Sequence, residues 1–151
     1  MDKRSLINNL KKARKLSTDE EYYMFEGALQ ALSNNISVDD IHDICECFCD
    51  DTQDDETMFS LIHMIEKLRG KEYLEQIAKC TPLMLESHDW AMTLNKRIIN
   101  SDVYFQMYMD VIRELDINSK NKIVALMKDI KNDNPQKFSD KVDYLITSVG
   151  L

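Results

Sequence analysis

"TQDDETMFSLIHMIEKLRG", residues 52–70, decides the fold class. Projected at about 100° per residue, Met58, Leu61, Ile62, Ile65 and Leu68 gather on one side, and Glu56, Phe59, Ser60, His63 and Glu66 on the other. That period is helical, not the strict alternation of a strand. Thr52 with Asp55 three residues on reads as a helix-capping signal, and Gly70 as a stop. The stretch therefore predicts a helix over 53–69. A large aromatic and a histidine among acids on the second face predict that this face is covered, by another helix or by a partner.

The same punctuation runs outward in both directions. A basic amphipathic helix is predicted over 3–16, with Leu6, Ile7, Leu10, Ala13 and Leu16 on one side. Ser17 and Thr18 with Glu20 and Glu21 cap the next, over 19–33, with Tyr22, Phe25, Leu29 and Leu32 inward. Ser37 with Asp40 caps a helix over 38–50. Further helices are predicted over 71–79, 88–100, 102–115, 119–132 and from Asn134-Pro135 to Gly150, with Thr81-Pro82 as a cap and first-turn proline. About nine helices on short links predict an all-α protein of antiparallel helical hairpins stacked as a short HEAT- or armadillo-like α-solenoid, with a closed helical bundle as the alternative.

The 151 residues fit one domain over 1–151, long enough to bury about two-thirds of the unfolded surface without a disulfide or metal. Only three Gly and two Pro agree with helix. The start is amphipathic, not a secretory signal, and no apolar run reaches membrane-spanning length. Cys45, Cys47, Cys49 and Cys80 are not spaced as a disulfide framework and read as reduced thiols of a cytoplasmic protein.

The net charge of −8 is unevenly placed. Residues 1–16 carry six Lys/Arg and one acid, residues 17–56 carry thirteen acids and no Lys or Arg, and the remainder balances. A surface so acidic repels nucleic acid and attracts basic partners. The bland reading is a solvated face that aids solubility.

Specific chemistries fare poorly. Calcium loops starting at Asp50 or Asp51 put Leu61 or Ile62 where a bidentate Glu is needed. His42, Cys45 and Cys49 share a helical face that could offer zinc ligands, but no second ligand pair exists. "DDTQD" (50–54) has the form of an Asp-rich magnesium motif but lacks its companion. Glu72 and Glu75 followed by Glu86 and Asp89 are similar to the magnesium-binding pattern of all-α nucleotide pyrophosphohydrolases, at too short a gap. No Gly-rich phosphate loop or nucleophile motif appears. The basic helix 3–16 reads as a terminal cap with a solvated face. No metal or other cofactor is expected.

"CDDTQDDETMFSLIHMIE" (49–66), with "HDWAMTLNKRIINS" (88–101) and "MKDIKNDNPQKFSDKVDYLI" (127–146), resembles immunity protein family 30. These are all-α cytosolic antidotes encoded beside bacterial polymorphic toxins, including contact-dependent growth inhibition systems. The likeness carries Asp50, Asp51, Glu56, Met58, His63 and Glu66 as signature residues, and departs at Cys49, where the family has Phe. It implies a non-enzymatic protein that binds one toxin domain one-to-one and neutralises it, with no nucleic-acid or membrane partner. Toxin partners in such systems are often nucleases, so the resemblance makes an RNase the leading expectation for the toxin.

The expected toxin-binding residues are Asp39, Asp40, Asp43, Asp50, Asp51, Asp54, Asp55, Glu56, Phe59, His63, Glu66 and Trp90. The acids form an edge on helix 38–50 and its following turn. The competing location is a concave face around His63 and Trp90.

Overall fold

A computed structural model describes residues 1–150. Nine α-helices and two short 3₁₀ turns make up the regular structure of the described residues, and no strand occurs among them. The helices of the described residues gather into two compact units, residues 1–69 and 70–150.

The first unit holds α1 (Lys3–Ala13), α2 (Asp19–Leu32), a 3₁₀ turn (Val38–Asp40), α3 (Ile41–Cys45) and α4 (Asp55–Glu66). Helices α1 and α2 pack as a hairpin. Leu10, Phe25, Leu32, Ile41, Ile44 and Met58 are fully buried in its core. Local chemistry sets each start. Asp2 caps α1 by accepting the Ser5 N–H at 2.8 Å. Thr18 caps α2 by accepting the Glu21 N–H at 3.1 Å, while the Glu21 carboxylate takes the Ser17 N–H and hydroxyl at 3.0 and 2.7 Å.

Helix α1 ends at Ala13 rather than at residue 16, and Leu16 adopts φ 51° with its side chain in the core. The predicted helix over 38–50 is also cut short, at Cys45. Cys45, Cys47, Phe48 and Cys49 are all buried. Past Cys45 the N–H groups of Glu46, Cys47 and Phe48 bond to the carbonyls of Asp43, Ile44 and Cys45, the i→i−3 pattern that tightens and ends a helix. Tyr22, expected inward, is exposed. Tyr22 and Tyr23 are about 100° apart on a helix, and Phe25 and Leu32 already occupy the core side.

The second unit holds α5 (Gly70–Cys80), a 3₁₀ turn (Thr81–Leu83), α6 (His88–Ile99), α7 (Asp102–Arg113), α8 (Ile117–Asp133) and α9 (Pro135–Ser148). Helix α5 packs on α7, α6 on α7 and α8, and α8 on α9, contacts that both stacked hairpins and a helical bundle make. Arg69 and Gly70 take the left-handed backbone, φ 43° and 90°. The turn expected as a stop for helix 53–69 is thus made, but α4 itself ends earlier, at Glu66, and Gly70 opens α5.

Thr81 is not a helix cap. Its hydroxyl donates to the Ile77 carbonyl at 2.7 Å inside the unit, and Pro82 continues a 3₁₀ turn. Helix α8 starts at Ile117 because Asp116, not Ser119, is the cap, accepting the Ser119 N–H at 2.8 Å. Asn134 caps α9 with Pro135 in its first turn, as the sequence predicts.

Candidate functional site

The loop before α4 is held from outside itself. Gln53 N–H donates to the Lys15 carbonyl at 2.7 Å, and the Thr52 hydroxyl donates to the same oxygen at 3.4 Å. Asp54, not Thr52, is the N-cap of α4. Its carboxylate accepts the Thr57 N–H at 3.0 Å and the Thr57 hydroxyl at 2.6 Å. Those two bonds, the hydroxyl's first, hold the Asp54 carboxyl below its ordinary 3.8. Asp55 and Glu56 sit exposed in the first turn, where the helix dipole favours negative charge.

This anchored loop and first turn bring Asp50, Asp51, Asp54, Asp55 and Glu56 together in sequence and on the surface, with all but Asp54 exposed. One and two turns on, half-buried Phe59 and exposed His63 lie with ring centroids 5.0 Å apart, tilted by 54°. Glu66, half-buried, ends the same helix. The second face of α4 thus carries an acidic end and an aromatic middle.

Asp39, Asp40 and Asp43 lie on the preceding 3₁₀ turn and α3. Asp40 is engaged within the fold. It accepts the Ser37 N–H at 2.9 Å and pairs with Lys3 at 3.0 Å. Glu46 pairs with Lys11 at 3.0 Å, and Arg14 donates to the Glu46 carbonyl at 3.3 Å. Two cations of α1, Lys3 and Lys11, and Arg14 at its C-cap therefore turn toward the segment after α2, which corrects the expectation of a merely solvated basic face. His42, Asp43 and Glu46 are, among the described residues, the side chains that could offer three metal ligands within 4.8 Å. All are exposed, and Lys11 already occupies Glu46. The zinc candidates Cys45 and Cys49 are buried and are not members of that cluster. Burial pushes the Cys47 thiol up to about 12, so it behaves as an apolar side chain.

Trp90 belongs to the second unit and is buried there. Glu72, Glu75, Glu86 and Asp89 form no three-ligand cluster. Sequence reasoning missed an exposed group on α2. Tyr22, Tyr23 and Met24 are 39%, 72% and 43% exposed, and the two tyrosine rings meet edge-on at 5.5 Å. Their adjacency was the available signal, since neighbouring helical residues cannot all face one core.

The chain is all-α among the described residues, with a strongly acidic first third and an aromatic second face on α4. The sequence model of the immunity protein 30 family matches residues 12–108, and the chain belongs to that family. The match takes in α2, ahead of the first segment that carries the sequence likeness (49–66), and stops short of the segment 127–146. Neither a curated protein nor a solved structure matches the chain. No helix among the described residues is long and apolar enough to cross a membrane.

Proposed function

We propose that the chain binds one cognate toxin domain, one-to-one, and neutralises it by laying the acidic surface of its first unit over a basic substrate-binding surface. Family membership supports the immunity role. The observation that carries the mechanism is the run of residues 17–56, with thirteen acids and no Lys or Arg. A nuclease must present cations to phosphate, so the toxin is read as a nuclease, with RNA as its substrate. Opposite charge steers encounter and occupies the groups that the substrate needs. The protein acts as a stoichiometric inhibitor without cofactor or catalysis, in the cytoplasm where such a toxin would act.

Within the expected set the surface acids Asp39, Asp43, Asp50, Asp51, Asp55 and Glu56, with Phe59, His63 and Glu66, are the proposed contacts. Asp40 and Asp54 serve the fold through Lys3 and Thr57. Trp90 is assigned to packing, because an anchor residue needs surface to bury.

The test is joint neutralisation of Asp50, Asp51, Asp55 and Glu56 to their amides. Association with the toxin domain encoded beside the chain should slow by about tenfold or more at low salt, and its salt dependence should flatten. Unchanged rate and affinity would remove this surface from the interface.

A further inference from the structure

Gly27 stands in the middle of α2 without a reason in the fold. Its backbone is not in the left-handed region, it is exposed, and a Cβ built on it meets nothing within 4 Å. Alanine would fit and would make a better helix. The chain gives up helix stability at a position where only something outside it can use the room.

The surroundings fit that outside body. Tyr23 and Met24 lie one turn before Gly27 on the same face and are the largest exposed apolar groups there, 72% and 43% exposed. Tyr22 braces the Tyr23 ring edge-on at 5.5 Å. A tyrosine held by its neighbour loses little freedom on docking and offers both apolar area and a hydroxyl. Asp19 and Glu20 rim the face, within the segment that holds no Lys or Arg. An apolar centre with a wholly acidic rim complements a basic rim around an apolar patch.

We infer that this face of α2 seats the basic toxin domain, with Tyr23 as the anchor and Gly27 as the point of closest approach. The inference rests on the function proposed above and adds the place where affinity, rather than steering, is made. The acidic loop and α4 speed the encounter, and the α2 face holds the complex.

The experiment uses the full-length protein with Gly27→Ala, Gly27→Gln and Tyr23→Ala, and the purified toxin domain encoded beside the chain as probe. Gly27→Ala should raise Tm by about 2–4 °C. The same variant should weaken binding, Gly27→Gln should weaken it further, and Tyr23→Ala should cost about tenfold or more, all through faster dissociation. Wild-type binding that all three variants match would overturn the inference while leaving the immunity function standing. Failure of the wild type itself to bind would overturn both. Loss of a self-associated dimer in the variants, with toxin binding unchanged, would reassign the face to a second copy of the chain and overturn the toxin as occupant.

Discussion

Asn95 is the residue on which the second unit turns. It is fully buried on α6, between Ala91 and Ile98 on the apolar stripe. Its amide donates to the Ala91 carbonyl at 2.8 Å and to the Thr81 hydroxyl at 3.0 Å, and its oxygen accepts the Tyr108 hydroxyl at 2.5 Å. The side chain thus ties the 3₁₀ turn after α5, α6 and α7 to one point, and no buried side-chain polar atom among the described residues lacks a partner. Removing one member leaves buried polar groups short of bonds. Asn95→Ala is expected to cost about 3 kcal/mol, from the lost bonds and the cavity together. Tyr108→Phe should cost about 1 kcal/mol. Asn95→Ala with Tyr108→Phe should cost less than the two single changes summed, because the bond between the two side chains is then lost only once. Urea midpoints read all three. Additive costs would mean that the network is not a unit. An asparagine on an apolar stripe is visible in sequence, but Thr81 and Tyr108 lie fourteen and thirteen residues away, and only packing selects them.

At the scale of elements, the capping residues separate a structural from a binding role. Asp54 terminates the loop and starts α4, so Asp54→Ala should cost about 1 kcal/mol. Asp54→Asn keeps a good cap and removes the charge, so it should retain most of the stability. Because the folded carboxyl titrates below the unfolded one, its charged-state advantage is complete above the ordinary 3.8 and is lost as pH falls through the lowered value. The gap in Tm between wild type and Asp54→Ala should therefore be widest at neutral pH and narrow under strong acid, where the neutral carboxyl still accepts bonds. A gap that did not narrow would assign the cap's strength to something other than ionisation. The helices themselves were legible, because apolar residues recur at helical spacing and Gly and Pro are scarce. Their ends were less so. Thr52, Asp54 and Asp55 are all competent caps, and the choice among them follows from the backbone that Lys15 holds by its carbonyl. The early end of α3 was hidden for a similar reason. Residues 41–50 keep an amphipathic helical pattern, and only the i→i−3 bonds made by the backbone of Glu46, Cys47 and Phe48 show where the helix stops.

At the scale of the molecule, the charge block was the part of the candidate site that sequence displayed outright. The internal pairing that trims it was not. Lys3 reaches Asp40 and Lys11 reaches Glu46 across separations of 37 and 35 residues, which no local pattern encodes. The pairs are partly exposed, with side-chain exposures of 42% and 16% in one and 47% and 50% in the other. Pairs of this kind contribute less than about 1 kcal/mol each. Their larger effect is on the field, because each lysine subtracts from the potential that a basic partner meets. Lys3→Gln with Lys11→Gln should therefore leave Tm nearly unchanged and speed association with the toxin domain by about two- to tenfold at low salt. The gain should vanish as salt shortens the range of the field. Slower association in the double variant would instead make these lysines part of the contact, or necessary to hold Asp40 and Glu46 where the partner meets them. Because the substitution adds net negative charge without touching an acid or the α2 face, acceleration would assign the on-rate to the field of the first unit as a whole, leaving Tyr23 and Gly27 to govern dissociation.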